Sequence, residues 1–318
     1  MNRRSFIVLG GAATLAACAR GSGDTSVLHV GSQRGSTKAV MLASNALDGA
    51  AYRVEWSEFA AAQPLLEAIG SGAVDLGLVG DAPFMFAYQS GSPIKAVGAQ
   101  FAPERPRGAL ALIVPRASTA QGIADLKGKR VATTRGSVGH YLIIRALAAA
   151  KLPPDWVQIT FLPPGDAKAA FSSGSIDGWA IWTPYLPAAF KDGARTIVDG
   201  HDFVRGYGFE VANERAIEAK AAQLTDFLVR EEKALRWARA NVDAYARVLA
   251  RETGLPADIA QDYAQKNGRT AVAITAEVIA DQARVLSDFR AAGAVAGTRD
   301  IAGAFAPSLT AARVALKH

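Results

Sequence analysis

Apolar and polar positions change period in a regular order along this chain, and the order occurs twice. In the first run the apolar stretch Val27 to Val30 reads as a strand, Ser36 to Leu47 as a helix, and Arg53 to Phe59 as an alternating strand. Gln63 to Ile69 follows as a helix and Asp75 to Val79 as a buried strand. The second run gives a strand over Arg130 to Thr134, a helix over Ser137 to Ala150, a strand over Gln158 to Leu162, a helix over Asp166 to Phe171 and a strand over Gly178 to Trp182. Strands alternating with helices predict parallel βαβ units, with loops gathered at the carboxyl ends of the strands.

The two runs also match in residues. Val30-Gly31-Ser32-Gln33-Arg34-Gly35-Ser36 lies over Val131-Ala132-Thr133-Thr134-Arg135-Gly136-Ser137 at an offset of 101, each closing on Arg-Gly-Ser just before a helix. Ser71-Gly72-Ala73-Val74-Asp75 lies over Ser173-Gly174-Ser175-Ile176-Asp177 at an offset of 102, each leading into a short apolar strand. Two matches in the same order at nearly equal offsets predict a duplicated α/β lobe. The expected fold is two lobes, each a mostly parallel sheet flanked by helices, facing one another across a cleft. After Gly206, Tyr207 to Val211 reads as a strand. A helical stripe of Leu224, Phe227, Leu228, Leu235, Ala238, Val242, Tyr245 and Leu249 then runs to Gly254-Leu255-Pro256. Further helices are expected around Ala257 to Gln265 and Ala276 to Ala292, the whole tail packing on the first lobe. Residues 27–110 and 208–318 are assigned to lobe 1 and 111–207 to lobe 2, with crossings at Pro103 to Arg116 and Arg205 to Val211 that could hinge on a ligand.

Composition narrows the class. With 318 residues, 50% of them hydrophobic, the chain can bury a large core, and disorder is excluded. Thirty-five Lys and Arg against 29 Asp and Glu give +6, but the basic residues are scattered singly, without the dense patch a nucleic acid partner requires. Residues 1–18 read as an export signal: Arg3 and Arg4 supply a charged start, and Ile7 to Ala17 form an apolar run too short to span a bilayer, which takes about 20 residues. Leu15-Ala16-Ala17-Cys18 resembles a lipobox, so Cys18 is expected to carry lipid. Ala17-Cys18-Ala19 can also be read as a cleavage site giving a soluble product, and Asn2-Arg3-Arg4-Ser5-Phe6 resembles a twin-arginine start. Cys18 is the single cysteine, which excludes disulfides, cysteine nucleophiles and Cys-ligated metals from the mature body.

The two Arg-Gly-Ser turns are the first candidates for chemistry, because helix-start N–H groups facing a cleft favour an anion. Ser36, Thr37 and Ser137 add hydroxyls there, and Gln33, Arg34 and Arg135 add amide and guanidinium donors. Taken singly, the serines read equally well as ordinary N-caps and the arginines as surface charges. No Gly-x-Gly-x-x-Gly or Walker-type run is present, so no nucleotide cofactor is indicated. His29, His140, His201 and His318 have no zinc spacing, and Gly136-Ser137-Val138-Gly139 misses the nucleophile-elbow spacing. Gly80-Asp81-Ala82-Pro83 and Trp182-Thr183-Pro184 occupy equivalent strand-to-helix turns of the two copies. Asp81 suits a cap or a ligand contact, and Trp182 suits core packing or the cover of an apolar tail.

Together with Val54-Glu55-Trp56-Ser57-Glu58-Phe59, Asp125-Leu126-Lys127-Gly128-Lys129, Gly136-Ser137 to His140-Tyr141 and Gly178-Trp179-Ala180-Ile181-Trp182-Thr183-Pro184, these residues resemble the aliphatic-sulfonate-binding proteins of bacterial ABC importers. The resemblance implies a type 2 periplasmic binding protein fold that captures an alkyl or aryl sulfonate in its interlobe cleft for sulfur acquisition. It implies delivery to a membrane permease by a monomeric, non-enzymatic protein. Related families bind taurine, nitrate or thiamine precursors on the same scaffold, and the alternative of a sulfonate- or sulfinate-processing enzyme on it is disfavoured by the missing nucleophile and metal ligands. Contacts carried over fall on Gln33, on Gly80, Asp81 and Ala82, on Ser137 and His140, and on Trp182. Val138 and Gly139 depart from the polar residue often found between the Ser and the His, which leaves backbone N–H donors there. Pocket size is expected to depend on Phe84, Phe86, Trp179 and Trp182.

Overall fold

The computed structural model describes residues 26–102, 107–266, 268–306 and 309. The export signal with Cys18, the first residues of one crossing and His318 lie outside the described residues. In chain order, the first part comprises β1 (Val27–Gln33), α1 (Thr37–Ala43), β2 (Arg53–Phe59), α2 (Ala62–Ser71), β3 (Leu76–Gly80), α3 (Asp81–Gln89) and β4 (Ile94–Phe101). The second part comprises β5 (Leu110–Val114), β6 (Arg130–Thr133), α4 (Val138–Ala149), β7 (Gln158–Phe161), α5 (Pro164–Ser172), β8 (Gly178–Trp182), α6 (Leu186–Lys191) and β9 (Arg195–Asp199). Then come β10 (Tyr207–Asn213), α7 (Glu214–Ala219), α8 (Ala221–Ala240), α9 (Val242–Thr253), α10 (Ala257–Lys266), β11 (Thr270–Val272) and α11 (Ala276–Ala291).

Two sheets result, ordered β11-β4-β10-β3-β1-β2 and β7-β6-β8-β5-β9. The expected parallel pairs are present: β1 with β2 and β3, and β6 with β7 and β8. Strand β10 runs against β3 and β4 and strand β5 against β8 and β9, and at the edge of the first sheet β11 runs against β4. Strands β10 and β5 are each contributed by chain that has crossed from the other lobe. Leu110–Val114 is therefore a fully buried strand, where the sequence reading placed a passage, and the chain passes between the sheets after β4 and again between β9 and β10. A continuous apolar run is what a strand covered on both faces requires.

The internal duplication has a structural cause. Asp75 Oδ2 accepts the His29 N–H at 2.8 Å, and Asp177 Oδ2 accepts the Arg130 N–H at the same 2.8 Å. The two aspartates thus tie β1 to the loop entering β3 and β6 to the loop entering β8. The preceding glycines, Gly72 (φ 83°) and Gly174 (φ 73°), take the left-handed conformation that ends a helix. The matched Arg-Gly-Ser turns likewise hold Gly35 (φ 76°) and Gly136 (φ 67°). Helix α1 ends at Ala43, short of the predicted Leu47, because Asn45 turns left-handed at φ 51°.

The tail divides. Phe227, Leu228, Tyr245 and Leu249 of α8 and α9 bury against Val40 and Met41 of α1, on the first lobe as expected. The predicted single stripe is two helices meeting at Asn241. Helix α11 instead bridges both lobes: Phe289 packs on Phe86 of α3 at 5.8 Å and on Tyr141 of α4 at 5.4 Å. Asp288 accepts bonds from Tyr141 at 2.7 Å and Arg145 at 2.9 Å.

Candidate functional site

A cavity of about 180 Å³ opens between the lobes where the strands of both sheets end. Lobe 1 contributes Gln33, Arg34 and Ser36 from the β1–α1 turn, Gln63 from α2, and Gly80 and Asp81 from the β3–α3 turn. Lobe 2 contributes Ser137 and Val138 at the α4 start, and Trp182 to Tyr185 after β8. Tyr207, Gly208, Tyr263 and Arg269 close one flank.

The α4 start is built to receive charge. Ser137 is 2% exposed and caps the helix, its Oγ accepting the His140 N–H at 3.1 Å and lying 3.2 Å from Thr133 Oγ1. Helix geometry offers the Val138 and Gly139 N–H groups no carbonyl of their own helix. Gly136 is forced by its left-handed backbone and by the Phe86 ring, which would lie 2.6 Å from an added Cβ. That contact seats the turn of one lobe against α3 of the other. The α3 start differs, because Asp81, also 2% exposed, bonds the Ala82 N–H at 2.8 Å and places a carboxylate at the positive end of its own helix.

Several side chains named from sequence turn elsewhere. Thr37 donates to Glu231 at 3.1 Å behind α1, and Ala82 is fully buried in the core. Arg135 lies over the Phe161 ring at 3.9 Å, and Gly139 is pressed on β8, where an added Cβ would meet Thr133 Oγ1 at 2.5 Å. His140 sits between Phe161 at 4.9 Å and Phe289 at 5.6 Å, its Nδ1 accepting the Gly136 N–H at 3.2 Å. Burial, with Arg135 nearby, pushes its pKa down to about 4, so the imidazole is neutral at physiological pH and lines a separate apolar cavity behind α4. Of the predicted set, Gln33, Arg34, Ser36, Gly80, Asp81, Ser137, Val138 and Trp182 come together in the cleft. Phe84, Phe86 and Trp179, expected to set its size, do not line it.

The structure adds residues that sequence reasoning missed. Gln63 lines the cleft with buried amide atoms that have no hydrogen-bond partner among the described residues. Arg269 reaches the cleft from just before β11, its Nη1 donating to the Gly206 carbonyl at 3.2 Å. Tyr185 reaches across from lobe 2, its hydroxyl donating to the Ala60 carbonyl at 2.7 Å. Among the described residues no cluster of His, Cys, Asp and Glu could hold a metal, and no helix is long and apolar enough to cross a membrane.

Two mixed sheets with swapped strands and a cleft between them define a two-lobed architecture. The chain belongs to the NMT1/THI5-like family, whose profile matches residues 54–244. It is 36% identical over 80% of its length to an aliphatic sulfonates-binding protein of Escherichia coli (strain K12), covering 81% of that protein. The crystal structure of the periplasmic aliphatic sulphonate binding protein SsuA from Escherichia coli matches with a TM-score of 0.77 at 32% identity, over 88% of this chain and 92% of that one. The alkanesulfonate-binding protein SsuA from Xanthomonas axonopodis pv. citri, bound to MOPS, matches with a TM-score of 0.81 at 29% identity, over 88% and 98% of the two chains.

Proposed function

We propose that this protein is the extracytoplasmic solute-binding component of an ABC importer and captures an organosulfonate for sulfur acquisition. The observation that carries the reading is the Ser137-capped start of α4 opening into an interlobe cleft that also holds Arg34 and Arg269. A sulfonate stays ionised at physiological pH and presents three acceptor oxygens, so it needs fixed donors and no general base. Charge-assisted hydrogen bonds are worth about 1.5 to 3 kcal/mol each. Three or four of them offset ordering costs and give micromolar affinity, roughly 8 kcal/mol. Trp182, Tyr185 and Tyr207 supply apolar faces for an alkyl or aryl tail.

In this reading the protein binds its ligand as a periplasmic monomer, leaves it chemically unchanged and passes it to a membrane permease. Cys18 holds the exported chain to the membrane through lipid; a mass spectrum of an unmodified N-terminus beginning after Cys18 would remove the anchor and leave export intact. The lobes close about the two connections between the sheets, the one that follows β4 and the one between β9 and β10. A thermal-shift screen across alkanesulfonates, taurine, sulfate and nitrate tests the assignment. Stabilisation by sulfonates above sulfate and nitrate is expected, and stabilisation by nitrate or sulfate alone overturns it.

A further inference from the structure

Two guanidiniums, those of Arg34 and Arg269, and one carboxylate, that of Asp81, line the cleft. Burial grades it into two ends. Ser137 and Asp81 are each 2% exposed and mark the deep end, whereas Arg34 is exposed and Arg269 half-buried at the rim. Both rim guanidiniums are held by backbone carbonyls: Arg34 by that of Thr253, the last residue of α9, and Arg269 by that of Gly206. Neither forms an ion pair among the described residues, although surface arginines elsewhere in the chain commonly do. Asp81 is the one carboxylate among the described lining residues, and it is spent at the α3 start.

The backbone makes room for Arg269. Its Nη1 would lie 3.0 Å from a Cβ added at Gly208, so even an alanine there would press on the guanidinium. Gly208 pairs with Gly80 across the β10–β3 ladder, which sets Arg269 beside the β3–α3 turn. A sulfonate seated at the α4 start leaves these two guanidiniums, without ion pairs among the described residues, for the rest of the ligand.

We infer that the preferred ligand is a sulfonate bearing a second anionic group, a sulfocarboxylate, whose carboxylate meets Arg34 and Arg269 at the rim. The inference rests on the sulfonate assignment proposed above. Guanidinium geometry suits a carboxylate, which accepts paired N–H bonds. Exposure makes this end salt-sensitive, since rim charges are screened within about 8 to 10 Å at ordinary ionic strength.

Titration calorimetry of the full protein with propane-1-sulfonate and 3-sulfopropanoate separates the two claims. The dianion is expected to bind at least tenfold tighter, about 1.4 kcal/mol. Arg269→Gln and Arg34→Gln should each shrink that ratio severalfold, while Arg269→Lys, which keeps the charge, should retain part of it. Thermal unfolding of each variant confirms that the protein is folded. Equal affinity of the parent for both compounds, or a ratio unchanged in both Gln variants, overturns the dianion inference and leaves the sulfonate assignment standing. No binding of either compound overturns both.

Discussion

Burial between Phe161 and Phe289 decides what His140 can do. Its position three residues after Ser137 placed it among the candidate anion contacts, but a side chain pushed to a pKa of about 4 brings no positive charge to the cleft. Ligand affinity is therefore expected to stay flat from pH 8 to pH 5.5, and a rise on acidification would restore His140 as a cationic contact. Stability should respond to pH instead. In the unfolded chain the imidazole titrates near 6.5, so below that pH the unfolded state takes up a proton that the folded state refuses. The contribution of neutral His140 is complete above 6.5 and lost as pH falls towards 4, by roughly 3 kcal/mol at the lower end. Urea unfolding at pH 7 and pH 4.5 should show a smaller acid loss in His140→Asn than in the parent; equal losses would contradict the burial argument.

At the scale of the element, the two aspartates that close the βαβ units form an internal control. Asp75 accepts from the His29 N–H and from Lys220 Nζ at 2.7 Å, and it and Lys220 are 8% and 7% exposed. Asp177 makes the matching backbone bond but faces solvent with Arg130 at 3.5 Å. Asp75→Ala strands a buried ammonium and should cost about 3 to 5 kcal/mol. Asp177→Ala loses one ordinary bond and should cost about 1 kcal/mol. Similar losses in denaturant unfolding of the two variants would show that the Lys220 pair is not what distinguishes them. The matched Ser-Gly-x-x-Asp and Arg-Gly-Ser segments made the duplication legible because each does the same local job twice. Strand β5 carries the same continuous apolar run that marks Asp75 to Val79 as a buried strand, and the reading of Pro103 to Arg116 as a passage between lobes hid it. Arg269 and Tyr263 were hidden for a different reason: β11 pairs with β4, next to β10 in the sheet, and brings the far end of the chain to the cleft, and no local motif records that pairing. Gly206-Tyr207-Gly208, two glycines at the head of a strand, was the available sign of a close approach.

At the scale of the whole molecule, two contacts oppose free motion of the lobes. Helix α11 spans them at the back through Asp288 and Phe289, and Tyr185 meets the Ala60 carbonyl across the cleft mouth. A ligand touching both lobes favours the closed arrangement only through contacts that the open one lacks. Tyr185→Phe should weaken binding by about 0.5 to 1.5 kcal/mol, a factor of roughly 2 to 10, chiefly through faster release measured by stopped flow. Unchanged release would remove Tyr185 from the closing contacts. Small-angle scattering of the parent should tighten on saturation with ligand, and superimposable curves would contradict hinge closure. The central claim, a sulfonate held by backbone donors at the α4 start, is tested most directly by calorimetric titration of Val138→Pro beside Val138→Ala with propane-1-sulfonate. Proline suits the first position of a helix, and Ser137 before it already has φ −78° and ψ 170°, so the fold should tolerate the change. Both variants lose the valine side chain, but only the proline loses the N–H. The account predicts micromolar binding by Val138→Ala and at least a tenfold weaker Kd for Val138→Pro, about 1.4 kcal/mol; equal affinity in two folded variants would contradict it.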